Sequence, residues 1–164
     1  LIHANSDVPE DVPAYGRIKG FKNFCETNKC DYNILIRDFG KTYDENYAGI
    51  KNMFEETEAK YINKTVGIFM SNDTHANILL NIIIKKYGKL PDKYKIVGFD
   101  NSPISKEAIV PITTVGQQVD KIADEAMQIL TVQINAFKKR KPALPSKPIH
   151  KVLTPILIRR ETTR

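Results

Sequence analysis

The chain has 164 residues, of which 41% are hydrophobic and 27% are charged. A chain of that length suits a single domain, and its apolar share is enough for a packed core, which excludes a disordered or fibrous protein. The 25 basic and 19 acidic residues give a net charge of +6. Part of the excess lies in Lys138–Lys141, without an aromatic platform or recognition-helix pattern. We therefore interpret that run as a complement to a helix dipole and not as a DNA contact.

The cysteines, the histidines and the hydropathy of the chain indicate its compartment and whether it binds a metal ion or a membrane. Cys25 and Cys30 have no partners at metal-ligand spacing, which indicates reduced thiols in an intracellular, cytoplasmic protein. His3, His75 and His150 are scattered along the chain, so we expect no metal site and no cofactor. No apolar run reaches the roughly 18 residues of a membrane span, and no secretory signal is present, so no membrane partner is expected.

The first third of the chain alternates strands and helices. Leu1–Ala4 predicts a strand, and a start inside a strand without methionine indicates an excised fragment. Apolar side chains at spacings of three and four predict one helix over Tyr15–Cys25 and another over Tyr43–Glu58. Between these helices, Asn33–Arg37 predicts a second strand. Arg17 lies in the first turn of the first helix, near the carboxyl end of the first strand.

A strand, a helix and a second strand form the centre of the sequence. Val66–Met70 is a short run of branched and aromatic residues, and Lys95–Asp100 is a second strand-like run. Between them, apolar residues recur at helical spacing from Thr74 to Tyr87, and Gly88 ends the helix. Because a whole helix separates the two strands, they should lie parallel. The repeated alternation predicts an α/β fold with a doubly wound parallel sheet.

Polar residues follow both central strands. The carboxyl ends of parallel strands share one edge, so Arg17, Asn72 and Asp100 should meet there, where open α/β sheets bind ligands. The two amides and two carboxylates that follow the strands, from Asn72, Asp73, Asp100 and Asn101, suit a small neutral polyol. For Asn72 and Asp100, spacing alone leaves ligand contact and a structural role equally open, and the alternative for Arg17 is a surface ion pair. We expect Asp73 to cap its helix and Asn101 to shape a turn.

The central helix has two apolar faces. At about 100° per residue, Ile78 and Ile82 point almost opposite to the wide stripe that contains Leu79 and Ile83. A monomer should not expose two stacked isoleucines, so we predict that Ile78 and Ile82 lie in a subunit interface. The alternative is that a loop covers them.

The pattern changes after residue 110. Ile112–Val115 predicts a short strand, and Gln118–Phe137 predicts a long helix with one continuous apolar stripe. Three prolines then mark a stiff linker. Val152–Arg159 predicts a final strand that Pro155 interrupts, as at a sheet edge or a bulge.

Five short motifs follow one another along the chain in an order and at intervals that suit a single known family. They are YGRIKGF at 15–21, SNDTHA at 71–76, KIVGFDNSPIS at 95–105, VPITTVGQQ at 110–118 and ILIRRETT at 156–163. Together they resemble the motifs of the LacI/GalR family of bacterial transcriptional regulators. The resemblance covers almost the whole chain, and it implies the second half of such a regulator, with a periplasmic-binding-protein-like fold.

The resemblance also implies a division of the chain between two lobes. Residues 1–110 would form the C-terminal effector-binding lobe, and residues 149–164 would return to it as a strand. Residues 111–148 would contain crossover segments and a helix that packs with the other lobe. Since most of that lobe is absent, the apolar stripe of Gln118–Phe137 loses its partner. We expect the helix to repack on the remaining lobe or to swap with another copy.

A function and its site residues follow from the same resemblance. Such a sensor binds a small effector, here a sugar, and the intact homodimer binds operator DNA through an N-terminal helix-turn-helix domain. Matching positions in the motifs make Arg17, Asn72 and Asp100 the expected ligand contacts, with Gln117 as a weaker candidate. Arg17 would donate hydrogen bonds, Asp100 would accept them, and Asn72 could do either.

Two other functions are weaker interpretations. An extracytoplasmic sugar-binding component of an ABC uptake system shares the two-lobed fold, but the unpaired cysteines, the missing signal and the last two motifs favour the regulator. An enzyme is not expected and no catalytic residue is assigned. The sequence contains no Ser/His/Asp set, phosphate-binding glycine loop or metal-ligand spacing.

Overall fold

The computed structural model describes residues 2–3, 13–36, 40–138 and 148–164. Its strands are β1 (Ile2–His3), β2 (Leu35–Ile36), β3 (Val66–Phe69), β4 (Tyr94–Phe99), β5 (Thr113–Gly116) and β6 (Ile156–Ile158). Its helices are α1 (Pro13–Thr27), α2 (Tyr43–Lys60), α3 (Asp73–Tyr87), α4 (Ile104–Glu107) and α5 (Val119–Lys138), and a 3-10 turn spans Glu161–Thr163. Leu1, Ala4, Arg37 and most of the basic run at 138–141 lie outside the described residues.

The strands pair in parallel, as the alternation of elements predicts. β1 pairs with β2, with Ile2 opposite Leu35 and His3 opposite Ile36. A four-stranded sheet has the order β3-β4-β5-β6, in which β3 pairs with β4, and β4 with β5, in parallel. The prediction of an α/β fold with a parallel sheet is therefore confirmed. β6 is shorter than predicted and begins directly after Pro155, which has no N–H to donate to a strand ladder.

The chain forms two compact units. The first contains Leu1–Val115 and Leu157–Arg164, and the second contains Gly116–Ile156. The sequence predicts these boundaries earlier, at residues 110 and 148. The first boundary lies later because β5 pairs with β4 as far as Val115, which is opposite Phe99.

Helix α3 lies at the centre of the first unit and packs against α2, β4 and α4. Leu79 and Ile83 are buried on the predicted core face, but Ile78 and Ile82 on the other face are also buried, at 2% and 5% exposure. Ile78 and Ile82 are therefore covered within a single chain. Their position in a subunit interface stays a prediction, and solvent exposure of the two side chains no longer supports it.

The carboxylate of Glu58 connects several elements at the amino edge of this sheet, where β4 begins. Glu58, near the end of α2, accepts hydrogen bonds from Lys86, Tyr87 and Tyr94. Burial of Glu58 opposes its ionisation, but the three donors outweigh that effect and lower the pKa of Glu58. Burial and the bond to Glu58 raise the pKa of Tyr94. The cluster therefore joins the end of α2 to the end of α3 and the start of β4.

Helix α5, in the second unit, contains no buried residue. Its predicted apolar stripe is open, with Val119, Met127 and Phe137 exposed by 64%, 60% and 84%. The expected repacking of this helix on the remaining lobe, or its exchange between two copies, stays a prediction. Among the described helices, none is both long enough and apolar enough to cross a membrane.

Candidate ligand-binding site

Arg17 links the loops that follow two neighbouring strands. It lies early in α1, and its Nη1 donates a hydrogen bond of 2.7 Å to the backbone oxygen of Ser71, directly before Asn72. Its Nη2 lies 3.9 Å from Oδ1 of Asp100, which follows β4. The side chains of Arg17 and Asp100 keep 22% and 37% of their surface exposed. The structure therefore brings the loops of the three predicted contacts, Arg17, Asn72 and Asp100, to one edge of the sheet.

A row of three aromatic rings lies beside this arginine. The guanidinium carbon of Arg17 is 3.9 Å from the centre of the Phe99 ring, a cation–π geometry. The Phe99 and Phe69 ring centres are 6.4 Å apart, and those of Phe69 and Phe21 are 6.2 Å apart. The contact with Phe99 and the hydrogen bond to Ser71 O hold the guanidinium of Arg17 at the strand ends in the absence of a ligand.

Asn72 caps helix α3, a role that the sequence assigns to Asp73. Its Oδ1 accepts a hydrogen bond of 2.8 Å from the backbone N–H of His75. The correction has a simple cause, since Asn and Asp are about equally good caps and the sequence places them side by side. Because the cap occupies the Asn72 carbonyl oxygen, a ligand would meet mainly its Nδ2, which is a donor only.

Asp73 is instead a buried connection between three segments. It is 0% exposed, and its Oδ2 accepts hydrogen bonds from the backbone N–H and the hydroxyl of Ser102, at 2.7 and 3.0 Å. Its Oδ1 accepts a bond of 2.6 Å from Thr114 Oγ1 on β5. A Cβ added at Gly98 would lie 2.2 Å from that Oδ1, which explains the glycine in β4. Asp73 thus fixes the loop after β4 to the start of α3.

The turn after β4 has an uncommon backbone. Asp100 and Asn101 have positive φ angles of 106° and 55°. Asn adopts this region readily, in line with its predicted turn role, whereas such a conformation at Asp100 stores of order 1–3 kcal/mol. Hydrogen bonds hold the turn, from Asp100 N to Val115 O at 2.9 Å and from Asn101 N to Thr114 Oγ1 at 3.3 Å.

Arg160 also supports this turn, a role that the sequence patterns do not predict. Its Nη2 donates to Asn101 Oδ1 at 2.7 Å, while Nη1 donates to Ser105 Oγ at 3.1 Å and to Ile112 O at 2.8 Å. The signal was present in the motif ILIRRETT, but the pattern does not indicate which arginine turns inward. Arg160 is half-buried here, whereas Arg159 is exposed.

Gln117 belongs to the second unit, directly after β5. It is half-buried in the structure. Its role as a ligand contact stays a prediction. Within the residues that the structure describes, no group of three or more His, Cys, Asp or Glu side chains could hold a metal ion.

The parallel sheet, the polar edge after β3 and β4, and a second unit inserted between β5 and β6 define a periplasmic-binding-protein-like fold. Residues 2–163 match the family described as periplasmic binding protein-like domain. The chain belongs to this family.

Three curated relatives are bacterial regulators. The HTH-type transcriptional regulator CelR of Thermobifida fusca is 21% identical over 128 residues, which cover 77% of this chain and 36% of the relative. Catabolite control protein A of Priestia megaterium is 27% identical over 136 residues, 82% of this chain and 40% of the relative. The ribose operon repressor of Bacillus subtilis is 26% identical over 123 residues, which cover 74% of this chain and 36% of the relative. The chain thus matches about two fifths of their length, and these relatives confirm the resemblance to the LacI/GalR family.

Solved structures show the same fold. A complex of the transcriptional regulator CelR with cellobiose has a TM-score of 0.71 at 22% identity, covering 98% of this chain and 46% of that one. The lac repressor dimer bound to operator and an anti-inducer has a TM-score of 0.70 at 19% identity, and the match covers 99% of this chain and 44% of that one. A LacI family regulator from Enterococcus faecium with bound ribose has a TM-score of 0.70 at 20% identity, covering 99% and 55%.

Proposed function

We propose that this chain is the C-terminal part of the effector-binding domain of a LacI/GalR-type transcriptional regulator, and that its polar edge contacts a sugar. The observation that carries the proposal is the position of Arg17, between Ser71 O and Asp100 and over the ring of Phe99. A partly exposed guanidinium beside a partly exposed carboxylate offers both a donor and an acceptor. A neutral polyol, whose hydroxyl groups donate and accept, suits that pair.

Each residue has a distinct part in this proposal. Arg17 donates to a hydroxyl or ring oxygen of the sugar, and Asp100 accepts from neighbouring hydroxyls. Asn72 donates through Nδ2, since its carbonyl oxygen caps α3. Gln117 is the weaker fourth contact. Asp73 and Arg160 act through the turn, because they hold the backbone that presents Asp100.

The whole regulator, in this proposal, acts in the cytoplasm as a homodimer and binds operator DNA through an N-terminal helix-turn-helix domain. Effector binding changes its affinity for the operator, so the two sites are coupled through a change in protein conformation. The curated relatives support this proposal, since one is named a transcriptional regulator, one a control protein and one an operon repressor. The same names favour a binding protein over an enzyme and a regulator over an uptake component.

The test is a thermal-shift screen of the full-length protein that contains this chain, with pentoses, hexoses, disaccharides and nucleosides. We expect one class to raise the melting temperature, and Asp100→Asn to remove most of that rise. Asp92→Asn is the matched control, because Asp92 is exposed and lies just before β4, at the opposite edge of the sheet. A rise that Asp100→Asn leaves intact, or a panel without any effect, contradicts the proposal.

The isolated 164-residue chain should bind the same sugar weakly or undetectably. Under the proposal, half of the pocket comes from a lobe that this chain lacks, so fewer contacts offset the loss of ligand freedom. Isothermal titration calorimetry measures this directly. Submicromolar binding to the isolated chain would contradict a shared pocket.

A further inference from the structure

The two cysteines meet at one helix end. The backbone N–H of Cys30 donates to the oxygen of Cys25 at 2.8 Å, and that of Lys29 donates to Glu26 O at 3.2 Å. Lys29 has a left-handed φ of 52°. These features form a Schellman motif, in which Cys25 and Cys30 occupy the two positions whose side chains commonly touch. The turn therefore places two cysteines that are five residues apart in sequence at neighbouring backbone positions, with the Cys30 thiol donating to Asn28 O at 3.8 Å.

The surroundings give these thiols different access to solvent. Cys25 is 6% exposed, whereas Cys30 is an exposed residue. Both line one cavity of about 470 Å³, whose wall also includes Phe21 and Tyr32. The cavity leaves space for the Cys30 side chain to turn towards Cys25. A small oxidant can therefore reach Cys30 first, with Cys25 behind it.

We infer that Cys25 and Cys30 are a reversible redox site, which a hydroperoxide converts to an intramolecular disulfide. The Cys30 thiolate attacks one peroxide oxygen, the O–O bond breaks, and Cys30 becomes a sulfenic acid. The sulfur of Cys25 then attacks the Cys30 sulfur, and the sulfenic oxygen leaves as water with the Cys25 proton. In total, two thiols and one hydrogen peroxide give one disulfide and two waters. A dithiol reductant reverses the change.

The chemistry of the two positions supports this order of attack. Burial raises the pKa of the Cys25 thiol, and the neighbouring Cys30 raises it further. Cys25 thus stays protonated and inert towards peroxide until a sulfenic acid forms beside it. The site lies at the C-terminal end of α1, while Arg17 lies near the N-terminal end of the same helix. It is therefore separate from the proposed sugar contacts.

Trypsin offers a direct readout, because Lys29 lies between the two cysteines. Digestion of the reduced chain releases Asn23–Lys29 and Cys30–Arg37 as separate peptides, each with one alkylatable cysteine. After peroxide treatment and alkylation in denaturant, mass spectrometry should find these peptides joined, with the mass of two hydrogen atoms lost. Dithiothreitol before alkylation should restore the two separate peptides. The joined species should come from monomer on a non-reducing gel.

Two variants control the assignment. Cys25→Ser should accumulate sulfenic and higher acids on Cys30 under the same peroxide dose, because no resolving thiol is present. Cys30→Ser should leave Cys25 reduced and alkylatable, because it is buried. Separate peptides in the treated wild-type chain, with Cys30 oxidised to sulfinic or sulfonic acid, would overturn the inference. A joined species found only in covalent dimers would also overturn it.

Discussion

The two edges of the β3–α3–β4 unit hold their charged groups in different ways. At the amino edge, Glu58 meets three donors and keeps only 13% of its side chain exposed. At the carboxyl edge, Asp100 keeps 37% exposed, lies 3.9 Å from Arg17 and has a positive φ of 106°. Glu58 is bound by groups of the same chain and serves stability, whereas the partial exposure and the positive φ of Asp100 are in line with the ligand contact proposed above.

The strongest test of this contrast removes the buried group that supports the exposed edge. Asp73→Ala leaves the donors of Ser102 and Thr114 without their carboxylate, so we expect it to lower the free energy of unfolding by about 3–5 kcal/mol. Urea denaturation measures the loss. Asp92→Ala is the control, with an expected change within about 0.5 kcal/mol. Equal effects of the two variants would show that Asp73 does not hold the edge together.

A smaller loss is expected from Glu58→Gln, about 1–3 kcal/mol at neutral pH, because three hydrogen bonds lose their charged acceptor. The pKa of Glu58 is lowered in the folded chain. Its contribution is therefore present above the ordinary carboxyl pKa and is lost as the pH falls through the lowered value. Urea titrations of wild type and variant should converge in acid. Glu55→Gln, in an exposed ion pair with Lys51, should change little at any pH.

At the carboxyl edge, Asp100→Gly should raise the free energy of unfolding by about 1 kcal/mol, since glycine accepts a positive φ without strain. The same change should abolish sugar binding by the full-length protein. Asp92→Gly, where φ is not positive, should instead destabilise by about 0.5–1 kcal/mol through the unfolded state. Destabilisation by both variants would show that Asp100 stores no strain.

The smallest effect concerns the ion pair between Arg17 and Asp100. A double-mutant cycle with Arg17→Ala and Asp100→Ala should give a coupling energy below about 1 kcal/mol, because both side chains are partly exposed and 3.9 Å apart. The coupling should fall further at high salt. A larger coupling energy that does not change with salt would show that this ion pair stabilises the fold, as the hydrogen bonds of Glu58 do.

Local sequence patterns predict most elements of this fold, and also the gathering of Arg17 and Asp100. The reason is geometric, since helices between strands force parallel pairing and so put successive loops at one edge. Local sequence patterns do not predict a residue's role where a contact with a residue far away in the chain determines it. Arg160 reaches Asn101 across 59 positions of the chain, and Ile78 and Ile82 are covered by elements that helical periodicity alone does not reveal. The choice of Asn72 over Asp73 as the cap depends on Ser102 and Thr114, which recruit Asp73 elsewhere.

The bonds from Arg160 to Asn101, Ser105 and Ile112 have a practical consequence for work with this protein. A shortened expression product that stops at Arg159 would lose the brace of the Asp100 turn, although it keeps every proposed sugar contact. If such a product gave weak signals in a ligand titration, the cause would be a less rigid turn at Asp100 and not a low affinity of the site for the ligand.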